Sequence, residues 1–300
     1  MGKCGFYAPP VSWGLLGLVI FCFSSATSLG NPEGGVVVGG RAAISQAGST
    51  LQVLQTSDRA VINWRDFSIQ PNETTRFIQP NASSAVLNRV TSSSPSQLLG
   101  TLQANGQVYL MNQNGIFVGQ GAVINASSFL ASTAEANPSS FMRGEALSME
   151  AASDAGIRNE GTIHAEGGSI HLLSKHVENV GKLEATEGTV GLYAGNRFYL
   201  EQDTGGPIRV RIDMDPSAAG SRAGVGVDQQ GIIRAARVNL EANGNIYALA
   251  IQQSGLVEAT GFVTRQDGTV VLSAPGGKIL QSGAMVASME LVGWSFQMDV

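Results

Sequence analysis

Charge is what this sequence has least of. Asp, Glu, Lys and Arg supply 14% of its 300 residues, against about 25% in ordinary soluble domains. Low charge beside 43% hydrophobic residues excludes an intrinsically disordered chain. Basic excess is missing too. Lys and Arg number 18 against 23 Asp and Glu, a net charge of -5, so no nucleic-acid partner is expected. Aromatics reach only 6%, and glycine has no strict three-residue period, which excludes collagen. Sustained 3.6-residue apolar periodicity is absent, which excludes a helical bundle. The helix-like candidate is Ser139 to Ala152, after Asn137-Pro138.

Cysteine is nearly absent. The two that exist, Cys4 and Cys22, fall in the first 25 residues. Lys3, the apolar run Val11–Phe23 and the small residues Ser24-Ser25-Ala26 read as a secretory signal peptide over residues 1–26. The run is shorter than the roughly 20 residues a membrane span needs. Cleavage is expected after Ala26, with Ser28 or Gly30 as alternatives and an uncleaved anchor as the rival reading. Cleavage after Ala26 removes both cysteines and Lys3, which excludes a disulfide framework and leaves a net charge of -6 (17 basic against 23 acidic residues). No later stretch reaches 18 consecutive apolar residues.

What the sequence does have is glycine, 38 residues of it, and short alternating runs such as Thr50–Leu54, Gln107–Met111 and Lys182–Ala185. Gly161–Ser174 repeats as Gly181–Ala194, an offset of 20 residues. Further units open at Gly231, Gly255 and Gly283. Units of that length are too short for propeller blades and read as solenoid coils. The fold class expected is all-β, a right-handed parallel β-helix, with apolar side chains stacked inside and Ser, Thr, Asn and Gln on the outer face. About twelve coils at strand spacing would make a rod of about 55–60 Å. Its ends would need caps, because an open strand edge invites aggregation.

The first half carries denser motifs. They run Gly39-Gly40-Arg41-Ala42-Ala43-Ile44, then Leu54 to Ile69 with Asn63-Trp64-Arg65-Asp66-Phe67, then Phe77-Ile78-Gln79-Pro80 and Leu87-Asn88-Arg89-Val90. Leu102 to Ile116 and Phe129-Leu130-Ala131-Ser132-Thr133 complete the set. In order and spacing this set resembles the N-terminal secretion domain of the filamentous haemagglutinin family, the exported partner of two-partner secretion systems, over about residues 31 to 200. The resemblance implies a β-helix with an N-terminal cap and extra-helical strands. It also implies a Gram-negative outer-membrane transporter as partner, and export through the periplasm to the cell surface or medium. The divisions expected are a secretion-domain core with its cap over 27–155 and continuing coils over 156–300. The resemblance makes Asn88, Arg89, Asn105, Gly106, Asn112, Asn114, Gly115 and Ile116 the transporter-recognition and turn motif. Here Gln113 stands where the family pattern has proline, and Asn114-Gly115 favours a type I′ turn.

Other candidates have weaker chemistry. Trp64 and Phe67 suit either binding or cap packing. His164, His171 and His176 lie close in sequence but lack converging partners, so no metal and no cofactor is expected. Asp213-Met214-Asp215 reads as part of a loop from Gln202 to Val225 that offers a binding surface. No nucleophile elbow, P-loop or metalloprotease motif is present, so the chain is expected not to be an enzyme. The readings are a transporter-dependent exoprotein, a β-helical adhesin for host or neighbouring-cell ligands, and, more remotely, a polysaccharide-degrading enzyme.

Overall fold

The computed structural model describes residues 30–202, 208–213, 222–243, 246–261, 268–287 and 296–299. Residues 1–26, expected as a signal peptide, lie outside them. Each coil turns through three short parallel strands, giving three faces. The first face stacks Thr50–Gln55, Thr74–Ile78, Thr101–Ala104, Val123–Ala126 and Thr162–Ala165 in register. It continues through the first halves of Lys182–Ala194 and Ile232–Ala242, then Leu256–Ala259 and Ala284–Ala287. The second face runs from Arg59–Trp64 through Ala85–Val90, Gln107–Met111, Ser128–Ser132 and Ile170–Ser174 to Phe296–Asp299. The third begins with the bridge Ile69 to Leu98 and passes through Ile116–Val118, Ile157–Asn159 and Val177–Asn179 to Ile279–Gln281.

Nine coils form among the described residues, fewer than the twelve expected. At about 4.8 Å per rung they span about 40 Å. The difference has two causes: residues before Thr50 build a cap, and two excursions leave the stack between the second and third faces. One core cluster of Ile, Val, Leu, Ala and Phe runs the length of the coils. Its first-face column reads Leu51, Thr75, Leu102, Ile124, Ile163, Leu183, Ile233 and Val257, all buried. The division at 155/156 falls within the fourth coil, and this cluster crosses it.

The cap closes the first coil. Val36–Gly39 pairs antiparallel with Arg59–Trp64, and Ala42–Ala47 with Thr50–Gln55. Glu33 N–H donates to the Asp66 carbonyl at 2.9 Å, and Arg65 N–H returns a bond to Glu33 at 2.9 Å. Trp64 and Phe67 meet edge to face at 5.6 Å, and Phe67 stacks on Phe77 at 6.5 Å. These aromatics are packing groups of the capped end.

The outer side of the second face departs from the polar surface expected. Leu87, Tyr109, Leu130, Leu173 and Tyr193 point outward and are buried by a second cluster. Their cover is an antiparallel sheet of Leu147–Glu150, Arg197–Gln202 and Ile208–Asp213, with the helix Pro138–Arg143 beside it. The helix is much shorter than 139–152. Asn137 caps its start, accepting from Ser139 N–H at 2.8 Å, and Gly144 at φ 69° ends it by returning its N–H to the last turn. Leu147–Glu150 then alternates as a strand, buried at Leu147 and Met149. The stretch Gln202 to Val225, expected as a loop, supplies the third strand of this roof, Ile208–Asp213.

At the corner between the third and first faces a glycine sits in each later coil. A Cβ at Gly181 would overlap the carbonyl oxygen of Gly161, one at Gly231 that of Gly181, one at Gly255 that of Gly231, and one at Gly283 that of Gly255. An amide precedes each by two residues. Asn159 Nδ2 donates to Asn179 Oδ1 at 2.7 Å, and Asn179 Nδ2 to Gln229 Oε1 at 2.7 Å. Gln229 and Gln253 donate to the carbonyls of Gly231 and Gly255 at 2.9 and 3.0 Å. Gly231→Ala must push two coils apart. It is expected to destabilise the mature protein by about 1–3 kcal/mol, read as a lowered denaturation midpoint, with no comparable loss for glycine to alanine at the open position Gly48 beyond its φ strain.

Candidate functional site

The motif residues fall at separate corners. Asn105 and Gly106 turn the chain from the first face to the second. Asn105 Oδ1 accepts from Gln79 N–H and its Nδ2 donates to the Gln79 carbonyl, both at 2.8 Å. Gly106 leaves room for the Ser84 carbonyl and the Gln79 side chain, which a Cβ would overlap. The Gln79 amide in turn donates to that carbonyl at 2.9 Å. The result is a locked polar joint between the second and third coils.

Asn112, Asn114 and Gly115 turn the chain from the second face to the third. Asn112 is 1% exposed. Its Nδ2 donates to the Ser94 carbonyl at 2.9 Å and Ser96 Oγ at 3.0 Å, and its Oδ1 accepts from Asn114 N–H at 2.9 Å. Asn114 Nδ2 donates to the Ser92 carbonyl at 2.8 Å. The turn closes through Gly115 N–H to the Asn112 carbonyl at 3.2 Å. Only Gly115 has positive φ, 109°. The turn is therefore not type I′, which needs positive φ at both central residues, here Gln113 and Asn114. Type I′ suits a hairpin between antiparallel strands, whereas this corner links two faces of one coil. Gln113 occupies the position where type I turns favour proline, and Ser153 from the first excursion donates its hydroxyl to the Gln113 carbonyl. Ile116 is buried in the core at the start of the next strand.

Asn88 is fully buried and faces inward. It accepts from Trp64 Nε1 at 2.9 Å and donates to the Tyr109 carbonyl at 3.3 Å. Arg89 faces outward, pairing with Glu135 at 3.1 Å and Asn63 Oδ1 at 3.3 Å, with 19% of its side chain exposed. Of the eight motif residues, five are buried: Asn88, Gly106, Asn112, Gly115 and Ile116.

The histidines do not converge. His164 lies on the first face, in register with Asn125 and Glu184. His176 Nδ1 lies 2.9 Å from the Val225 carbonyl, its ring edge-on to Tyr247. His171 is enclosed beside Tyr193 at 5.9 Å, and neither ring nitrogen has a partner among the described residues. No group of three His, Cys, Asp or Glu is placed for a metal among the described residues. Asp213 pairs with Arg197 at 3.6 Å, while Met214 and Asp215 lie outside the described residues.

The stretch Gln202 to Val225, expected to offer a binding surface, supplies Ile208, Arg209 and Arg211 to a cleft of about 450 Å³ where the roof meets the sixth and seventh coils; the share of the coils in it, Tyr193, Arg237 and Asn239, was not read from the sequence. The alternation Ile208-Arg209-Val210-Arg211-Ile212-Asp213 was the available signal for the strand's share. Glu241, in register with Tyr193, is pushed up to about 7 by burial.

Capped coils, an apolar roof and amide-locked corners together define a capped β-helical scaffold with an extra-helical sheet. The family model of the TPS secretion domain, the two-partner secretion module, matches residues 30–286, and the chain belongs to that family. A heme/hemopexin-binding protein of Haemophilus influenzae is 33% identical over 264 residues, covering 84% of this chain and 28% of that protein. A second heme/hemopexin-binding protein of Haemophilus influenzae is 43% identical over 83 residues, 28% of this chain and 9% of that protein. The chain thus spans less than a third of these relatives' length. The HMW1 secretion domain from Haemophilus influenzae matches with a TM-score of 0.69 at 31% identity, covering 86% of this chain and 66% of that one.

Two predictions follow from the geometry. Asn112→Ala strands the Ser94 carbonyl and Asn114 N–H, and is expected to cost about 1–3 kcal/mol, read by denaturant unfolding. Burial pushes His171 down to about 4, so the folded state favours its neutral form. Stability from this group is complete above about pH 6.5 and falls as pH drops toward 4, by up to about 3 kcal/mol. Glu241 acts oppositely: its folded pKa lies above the unfolded one, so stability falls as pH rises from about 4.5 through 7. In a pH series of melting temperatures, His171→Leu should flatten the acid limb and Glu241→Gln the alkaline limb.

Proposed function

We infer that this chain is the export module of a secreted exoprotein, delivered to the periplasm by residues 1–26 and passed by a cognate outer-membrane transporter to the cell surface or medium. The observation that carries the reading is the pairing of the TPS family match with a capped, one-directional stack. Each coil needs only its predecessor as a template, so a chain emerging from a pore N-terminus first can fold as it appears. The absence of cysteine after residue 26 leaves no disulfide to block the passage.

The buried motif sharpens how recognition works. Asn88, Asn112 and Ile116 are 0, 1 and 2% exposed. A transporter can read those side chains only before the coils close. The same residues then lock the corners outside the cell. Recognition and folding are thus successive uses of one motif, and no catalytic step is involved.

A second reading is adhesion to host or neighbouring-cell ligands. It is favoured by Leu280 and Val286, which stand 51% and 45% exposed on the last coils. Binding of the purified mature chain to cells would support it, and absence of binding would count against it.

Co-expression with and without the cognate transporter tests the first reading. Secretion is expected to fall to background when the transporter is deleted, with the chain retained in the periplasm. Undiminished secretion without the transporter would contradict it.

A further inference from the structure

Among the described residues the roof sheet has an unpaired edge. Its strand order is Leu147–Glu150, Arg197–Gln202, Ile208–Asp213, so Ile208–Asp213 pairs on one side only. Among the described residues no strand pairs with the other side. A row of backbone N–H and C=O groups there is a template for another strand.

The surface beneath that edge changes character. Over the earlier coils Leu87, Tyr109 and Leu130 line the outward side of the second face, a cluster that ends with Leu173 and Tyr193 beside Leu200, Ile208 and Val210. In the next coil the outward positions are Arg237, Asn239 and Glu241. The cover stops there and the cleft of about 450 Å³ opens, with Arg209 and Arg211 on the edge strand and Arg237 and Asn239 on the floor. Within a chain of net charge -5 this is a local concentration of cations. Glu201 engages Arg211 at 3.5 Å, across a contact in which both side chains are well exposed. Asn239 Nδ2 donates to Tyr193 Oη at 3.3 Å, while its buried Oδ1 has no partner among the described residues. A hydrogen-bond acceptor left unmet at the floor of an open cleft points to a donor from outside.

We propose that Ile208–Asp213 and the cleft beside it form a docking site for an extended acidic segment of a partner polypeptide, which joins the roof as a fourth strand. Backbone bonds to the free edge hold the segment. Carboxylates on the outward side of the added strand meet Arg209 and Arg211, which share the exposed side of Ile208–Asp213, while its inward positions bring a carboxylate to Arg237 and an amide donor to Asn239 Oδ1. The site belongs to the folded protein outside the cell and is separate from the corner motif, so its loss leaves secretion unchanged.

The test uses the purified chain from residue 27 and a fluorescent peptide in which outward Glu residues alternate with inward Glu and Gln. The controls are the same peptide N-methylated along one edge and a sulfated oligosaccharide. Saturable binding of the alternating peptide is expected, with at least a tenfold loss in Arg237→Glu and in Arg211→Glu, variants on different elements whose folding is checked by circular dichroism and melting temperature. The N-methylated peptide is expected not to bind. Three results would overturn the proposal: no peptide binding by the unaltered chain, equal binding of the N-methylated peptide or the oligosaccharide, or binding unchanged in both variants. Self-association of the chain abolished by Arg237→Glu would also overturn it, since the occupant would then be a second copy.

Discussion

A strand edge must be hydrogen-bonded or it will pair with whatever arrives, and the whole molecule is arranged around that constraint. In a solenoid each coil satisfies the edge of the last and exposes a new one. The stack therefore needs a defined beginning. Here Val36–Gly39 and Ala42–Ala47 supply it by pairing antiparallel with the first two strands of the first coil. Their reversed direction covers the starting edge of the first coil without continuing the solenoid, and it leaves a shorter outer edge with no strand partner among the described residues. Trp64, Phe67 and Phe77 fill the space inside, with the one indole N–H satisfied by Asn88.

Once stacking is set, the corners carry the specificity. At each corner the backbone leaves one sheet for the next, and its polar groups must be met by something other than a strand. Asn105, Asn112, Asn114 and Asn159 meet them with side-chain amides, which can donate and accept at once, and Asn179 bridges the amides of Asn159 and Gln229. Glycine follows where successive coils come too close for a Cβ. Excursions are tolerated at the corner between the second and third faces, and both use that freedom to fold back as a roof. The roof explains the scarcity of charge. The early second-face strands are buried on both sides, as in parallel sheets covered by other layers.

Much of this was legible in the sequence. The 20-residue repeat at Gly161 and Gly181 places two coils in register, and their paired strands confirm it. The cap and extra-helical strands followed from the family resemblance. Coil number was not legible, because Leu147–Glu150 and Ile208–Asp213 alternate like coil strands yet pair antiparallel outside the stack. The roof could have been read from Val-Tyr-Leu-Met and Ile-His-Leu-Leu, runs too continuously apolar for a strand with one wet face. The helix was over-extended because Gly144 is a stop signal only once its left-handed φ is known. The amides two residues before the repeat glycines were visible, but their purpose depends on a neighbour one coil away, 20 residues distant at Asn159 and 50 at Asn179. The same distance hides the burial of Asn88 and Asn112, whose residue types read as surface turn formers.

The central claim is that the antiparallel cap starts the stack and that every later coil depends on it. Native-state hydrogen exchange on the mature protein, compared with a variant lacking residues 31–48, tests this directly. The account predicts that loss of the cap abolishes slow exchange throughout the coils, including Val190–Ala194 far from the deletion. Persistence of protection in those later coils, with only the first coil loosened, would contradict it.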